Sequence, residues 1–228
     1  MKVDYTRLVE LSHRMLPGKE NFQLDIQVRD VTEYLPDVKH RPDIWYVLTD
    51  IHMNSHMGTH IEFPHHHWKD GVTGADFPLR QLIAPAVTLD IFHKKKDDWI
   101  TLEEVKRYEG QIDAGDIVFI RTGMDRFFRE KNWTDEVHLS EDACDWLVSL
   151  KPSVMGTDAT GFEVPGTDYQ PNHLKLFTNG IGMIESATNL DKITGVKPLV
   201  FILALPIEGI DACPVRIIAV KEGGIFDE

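Results

Sequence analysis

Cysteine is nearly missing from these 228 residues: only Cys144 and Cys213 occur, 69 positions apart and in no CxxC pair. That argues against a disulfide framework and against a thiolate zinc site, so any metal here must use nitrogen and oxygen ligands. Positive charge is also short, with 24 Lys plus Arg against 37 Asp plus Glu and a formal net charge of -13. Nucleic acid is disfavoured as a partner on that balance, because its binders neutralise phosphates with basic side chains, and an anionic membrane surface is disfavoured for the same reason. No run approaches the roughly 20 apolar residues of a bilayer span. The start of the chain has no signal-peptide core either: Asp4, Arg7 and Glu10 fall where an apolar run would lie, and a cytoplasmic location is expected. Missing too are a GxSxG elbow, a P-loop and a dinucleotide fingerprint.

What is present is the make-up of an ordinary globular chain, 42% hydrophobic with a mean hydropathy of -0.24. A chain of this length can bury a full core without staples, and no repeat or linker divides it, so residues 1–228 are expected to form one domain. Residues 86–92, 116–121, 199–205 and 215–220 read as strands, apolar or alternating and rich in β-branched side chains. Thr101-Leu-Glu-Glu104 is a capping box that opens a helix ended by Gly110. Ser140 precedes a second helix carrying Ala143, Trp146, Leu147 and Leu150 at helical spacing, and a third begins near Pro171 and stops at Asn179-Gly180. The class is α/β or α+β.

Histidine carries the chemistry. Five of the 11 histidines lie between His56 and His67. Gly58, Thr59, Ile61 and Pro64 oppose a helix there, so the backbone is expected to be extended or turning. On an extended segment His60 and Glu62 share a face, and Gly58 allows His56 to bend back towards them. Two imidazoles and a carboxylate suit zinc, manganese or ferrous iron in an open catalytic site. One of His65, His66 and His67 can face that site without binding metal and transfer protons; spacing does not choose among them.

The segment His56-Met-Gly-Thr-His60-Ile-Glu62-Phe-Pro64-His-His66 resembles the HxGTHxDxPxH signature of the cyclase family of metal-dependent hydrolases, which includes bacterial kynurenine formamidase (arylformamidase) and isatin hydrolase. Further matches run along nearly the whole chain: Leu11-Ser-His13, Gly115-Asp-Ile-Val118, Arg121-Thr-Gly123, Gly156-Thr-Asp158, Asn172-His173-Leu174, Ile184-Glu185 and Pro214-Val-Arg216. The resemblance implies a swivelling β/β/α domain, of α/β class, with a mixed sheet or small barrel flanked by helices. It implies metal ligation by His56, His60 and Glu62, completed by His173 and Glu185 twelve residues apart, with His66 as acid/base. Glu62 stands where the family usually has aspartate. Its carboxylate still supplies a hard oxygen, so one or two zinc or manganese ions per chain are expected. The expected activity is arylformamidase-like hydrolysis of an amide, formamide or lactone-like carbonyl by metal-activated water, with N-formylkynurenine of tryptophan catabolism as the leading substrate. Thr59 or backbone amides would stabilise the oxyanion, and Trp45, Phe63 and Trp68 would wall an aromatic substrate. A metal-dependent lyase or dehydratase and a catalytically silent metal-binding homologue are the rival readings. The partner is a small molecule, and a homodimer or homotetramer is implied.

Overall fold

The structure is a computed structural model that describes residues 4–131, 133 and 136–221; residues 1–3 and 222–228, at the two ends of the expected single domain, lie outside the described residues. Thirteen strands occur among the described residues: β1 (Leu8–Glu10), β2 (Leu24–Asp30), β3 (Val47–Met53), β4 (His60–Glu62), β5 (Ile83–Asp90), β6 (Trp99–Ile100), β7 (Ile117–Arg121), β8 (His138–Leu139), β9 (Val154–Thr157), β10 (Gly182–Glu185), β11 (Leu199–Leu203), β12 (Ala212–Pro214) and β13 (Arg216–Val220). The α-helices are α1 (Val31–Tyr34), α2 (Leu79–Leu82), α3 (Leu102–Lys106), α4 (Glu141–Ser149) and α5 (Pro171–Thr178). None of the described helices is long and apolar enough to cross a membrane.

Nine strands form one mixed sheet in the order β1-β13-β11-β5-β7-β9-β10-β4-β12, curled into a half-barrel. Its centre is parallel, β5 to β7 to β9 to β10, and antiparallel strands extend it on both sides. This agrees with the expected mixed sheet. The two-residue alternation of a strand explains its two covered faces. Along β7, Ile117 and Phe119 join one apolar cluster with Ile61, Ala86 and Ile184, while Val118 and Ile120 join the other with Leu89, Met155 and Met183. Against the second face pack α4, through Ala143, Cys144 and Leu147, and α5, through Leu176 and Phe177. Both cysteines are buried and unpaired.

The four expected strands form, with shifted ends. The first begins at Ile83 rather than residue 86 because β11 recruits Ile83, Ala84 and Pro85 into antiparallel pairing, and it stops at Asp90 where the chain turns away through the Lys94 N–H to Ile91 carbonyl bond. The Thr101–Glu104 capping box is made reciprocally, and α3 ends at Lys106, with a turning segment leading to Gly110 at φ +81°.

Candidate metal centre

The His-rich motif is built by three local devices. The Asn54 side-chain oxygen accepts the His56 N–H at 2.8 Å. Gly58 then takes φ +60°, the left-handed region where a Cβ is strained, and reverses the chain so that His56 turns back over β4. Pro64 begins a short 3-10 turn, Pro64–His66, which carries His66 under the same face. Register does the rest: β10 sets Glu185 directly opposite His60 and Met183 opposite Glu62, so Glu185 joins the two motif side chains on one face. Helix α5 packs against β10 and the 3-10 turn and delivers His173.

Six polar side chains therefore meet from three separate stretches of chain, residues 56–66, α5 and β10. His56 Nδ1 lies 2.9 Å from Glu62 Oε1 and 3.2 Å from His60 Nε2. His60 Nε2 is 3.7 Å from Glu62 Oε1 and 3.5 Å from Glu185 Oε2. His173 Nε2 is 3.5 Å from Glu62 Oε2 and 3.6 Å from Glu185 Oε1. His66 Nε2 stands 3.7 Å from Glu62 Oε1. Two donor sets share one residue: His56, His60 and Glu62 form the first, Glu62, His173 and Glu185 the second.

The residues present fit a divalent cation. Ligands held at about 2.0–2.2 Å from a tetrahedral ion sit roughly 3.3–3.6 Å from each other, and most of these separations fall near that spacing rather than at hydrogen-bond length. Two imidazole nitrogens facing each other, as in His56 and His60, need a proton or a cation between them. Glu62 Oε2 is buried with no hydrogen-bond partner among the described residues, an orphan that a cation would satisfy. Burial and the neighbouring Glu62 charge push the Glu185 carboxyl up.

Each histidine of the two sets turns its other ring nitrogen to an acceptor. His60 Nδ1 is 2.9 Å from the Gly58 carbonyl, His173 Nδ1 2.7 Å from Glu163 Oε2, and His56 Nε2 2.9 Å from Asp211 Oδ2. Such contacts fix the tautomer and present the remaining lone pair inward. Burial opposes charge on His56 and His173, yet hydrogen bonds to Glu62 and Asp211 lift the first to about 9, and hydrogen bonds to Glu163 and Glu185 lift the second to about 10. Burial disfavours the Glu62 carboxylate, but hydrogen bonds from His56 and His60 hold it well below the usual range. His66 is pushed down by burial, more than the Glu62 charge lifts it, which leaves it neutral at neutral pH.

The structure brings together His56, His60, Glu62, His66, His173 and Glu185, and does not bring Trp45 or Phe63 to them. Phe63 points from the opposite side of the strand into the core with Phe77, fully buried. Trp45 is 82% exposed and lines a separate depression with Arg29, His40 and Tyr46. Phe22, Phe128 and Trp133 border a cavity of about 610 Å³ that opens onto His56, His60 and Glu185. Trp68 is half exposed and outside that cavity. Thr59 is a correction too: its hydroxyl donates to the Ser186 carbonyl at 2.6 Å and accepts the His13 N–H at 2.8 Å, so it ties two loops rather than facing an oxyanion. His67 stacks on His173 with ring centroids 5.3 Å apart. Glu163 and Asp211 escaped sequence reasoning, since isolated acids far from the motif carry no spacing signal.

A sequence profile of the family described as "Putative cyclase" matches residues 9–164. The curated kynurenine formamidase of Salinibacter ruber is 24% identical over 218 residues, 94% of each chain. Among solved structures, an isatin hydrolase bound to the product analogue thioisatinate superposes with a TM-score of 0.78 at 22% identity, covering 93% of this chain and 91% of that one. A predicted metal-dependent hydrolase from Bacillus stearothermophilus gives 0.72 at 23% identity, covering 93% and 97%.

Proposed function

The chain belongs to the cyclase family, and from that premise we propose that it is a metal-dependent hydrolase of an amide, formamide or related carbonyl compound, with N-formylkynurenine, split to kynurenine and formate, as its leading substrate. The observation that carries this reading is Glu62, whose two oxygens face two different donor sets beside a cavity of about 610 Å³. His56, His60 and Glu62 would hold one zinc or manganese ion, and Glu62, His173 and Glu185 a second. The name borne by the Salinibacter ruber relative supports the choice of substrate.

When bound, a divalent cation supplies two things here: it lowers the pKa of water from 15.7 towards about 7, and it polarises a carbonyl oxygen. The protein's own residues supply the proton traffic. His66 is neutral and turns Nε2 towards Glu62, at the edge of the donor cluster. From there it takes a proton as water adds to the carbonyl and returns it to the leaving nitrogen, which departs poorly as an anion. Phe22, Phe128 and Trp133 orient the flat, apolar part of the substrate beside the cluster.

The test is metal content of protein purified without added metal, with hydrolysis of N-formylkynurenine and of a simple aryl formamide before and after chelation and Zn²⁺ or Mn²⁺ repletion. Chelation-sensitive, restorable hydrolysis with one or two equivalents of metal is expected. Bound metal without turnover of either compound removes this substrate assignment, and failure to bind metal under any loading removes the hydrolase reading with it.

A further inference from the structure

Asp211 lies 145 residues or more from the two histidines it touches. Its carbonyl accepts the Phe63 N–H at 2.9 Å, and the strand that follows it, β12, pairs with β4 so that Ala212 faces Glu62 and Pro214 faces His60. The edge strand thus brings a carboxylate to the outer side of the motif. Both oxygens are engaged. Oδ1 accepts the Ser55 hydroxyl at 3.0 Å, while Oδ2 lies 2.9 Å from His56 Nε2 and 3.2 Å from His66 Nδ1. One oxygen therefore contacts an expected metal ligand and the expected acid/base at once, with the two rings 4.5 Å apart.

We propose that Asp211 is a positioning residue that fixes the ring tautomers of His56 and His66 together, so that the ligand nitrogen of one and the proton-transfer nitrogen of the other both face Glu62. The inference rests on the metal-dependent reading above. An ionised carboxylate can only accept hydrogen bonds, so both nitrogens facing it must carry hydrogen. His56 is left with Nδ1 as its lone pair, aimed at Glu62 and His60; His66 is left with Nε2, aimed at Glu62. His56, His66 and Asp211 also lie close enough together to surround a cation of their own. Their contacts of 2.9 and 3.2 Å have ordinary hydrogen-bond length, and a cation there would take from both rings the nitrogen that the carboxylate already holds. The shared oxygen couples the two functions: a movement of His56 on binding metal is transmitted to the ring of His66 through one atom.

The experiment uses zinc-loaded protein with ¹⁵N-labelled histidine, in which long-range ¹⁵N–¹H spectra report which ring nitrogen bears hydrogen. The wild-type protein is expected to carry hydrogen on Nε2 of His56 and on Nδ1 of His66, with Nε2 of His66 bare. In Asp211→Asn the amide offers one acceptor oxygen and a competing donor, so at least one ring loses its fixed tautomer. Zinc affinity, measured against a competing chelator, drops by about 10- to 100-fold, the usual cost of losing a carboxylate behind a metal-bound histidine. Two results overturn the inference while leaving the hydrolase reading in place: hydrogen on Nε2 of His66 in the wild-type protein, which needs no variant to fold, or an Asp211→Asn variant with zinc affinity within twofold and both tautomers unchanged. A wild-type protein that takes up no zinc overturns both.

Discussion

At the scale of single residues, Glu62 faces both donor sets, with Oε1 on the His56–His60 side and Oε2 on the His173–Glu185 side. The methylene that distinguishes it from aspartate does not stop both oxygens from reaching their sets. Glu62→Gln keeps the size but replaces one acceptor oxygen by a donor, so at least one equivalent of bound metal is expected to disappear in a metal analysis. His66→Ala leaves all five other donors in place; metal content should stay at the wild-type value while turnover of a hydrolysable substrate falls by roughly 10²–10⁴, the usual contribution of an acid/base group. Full turnover in that variant would remove His66 from the chemistry. Protons compete with metal for the same nitrogens. His56 is lifted to about 9 and His173 to about 10, so both must shed hydrogen to ligate, and apparent zinc affinity should rise as pH goes from 7 to 9. Titration with a chelator at three pH values checks the sign.

At the scale of elements, the loop before β4 sets the angle between His56 and His60, and Gly58 is its pivot. In Gly58→Ala a Cβ would strain a backbone at φ +60° and sit 3.3 Å from the Met15 side chain. We expect a loss of about 1–2 kcal/mol in a denaturant melt together with weaker metal binding. A variant that loses neither would show that the loop tolerates an ordinary backbone there. The elements legible in the sequence are those whose signal is local: the Thr101–Glu104 capping box, Ser140 ahead of α4, and Pro171 opening α5. The β2–β3 hairpin does carry a local period, Leu24, Ile26 and Val28 alternating with Asp25, Gln27 and Arg29, but the apolar face these residues share with Ile51 is mostly exposed, Leu24 alone of the four being buried.

At the scale of the whole molecule, pH and metal act on stability in opposite senses. His56 and His173 have folded values raised above an unfolded value near 6.5, so their contribution is complete below about 6.5 and is lost as pH rises through about 9 and 10. Glu185, also raised, acts in the same direction. Metal-free protein should therefore melt at progressively lower temperature between pH 7 and 10, by about 2–4 °C for each kcal/mol lost. Zinc displaces those protons and removes that decline, and at a free concentration of 100 Kd it adds about 2.7 kcal/mol, or roughly 5–10 °C. A thermal scan of loaded and chelated protein at pH 7 and pH 9.5 reads both effects. The homodimer or homotetramer implied by the family resemblance stays a proposal, supported by the apolar side chains that the β2–β3 hairpin exposes. Light scattering should then give a multiple of the 26.1 kDa chain mass, and Ile51→Asp should reduce it to one chain.

The sequence by itself determined the motif's conformation and the kind of ligand it could hold. Scarce cysteine left nitrogen and oxygen donors, and Gly58 and Pro64 ruled out a helix, so His60 and Glu62 had to share a face. It also pointed to buried strands of a mixed sheet, since a run such as residues 117–120 has no polar face to expose. Tertiary structure alone decided that Phe63 belongs to the core and Trp45 to another surface, because the side of a strand on which a residue falls depends on what packs there. It decided that Thr59 is occupied by Ser186 and His13, and that Glu163 and Asp211 stand behind His173 and His56. Those contacts join residues up to 155 positions apart through the pairing of β4 with β10 and β12, and a single side chain in the sequence carries no mark of the strand that will be laid beside it.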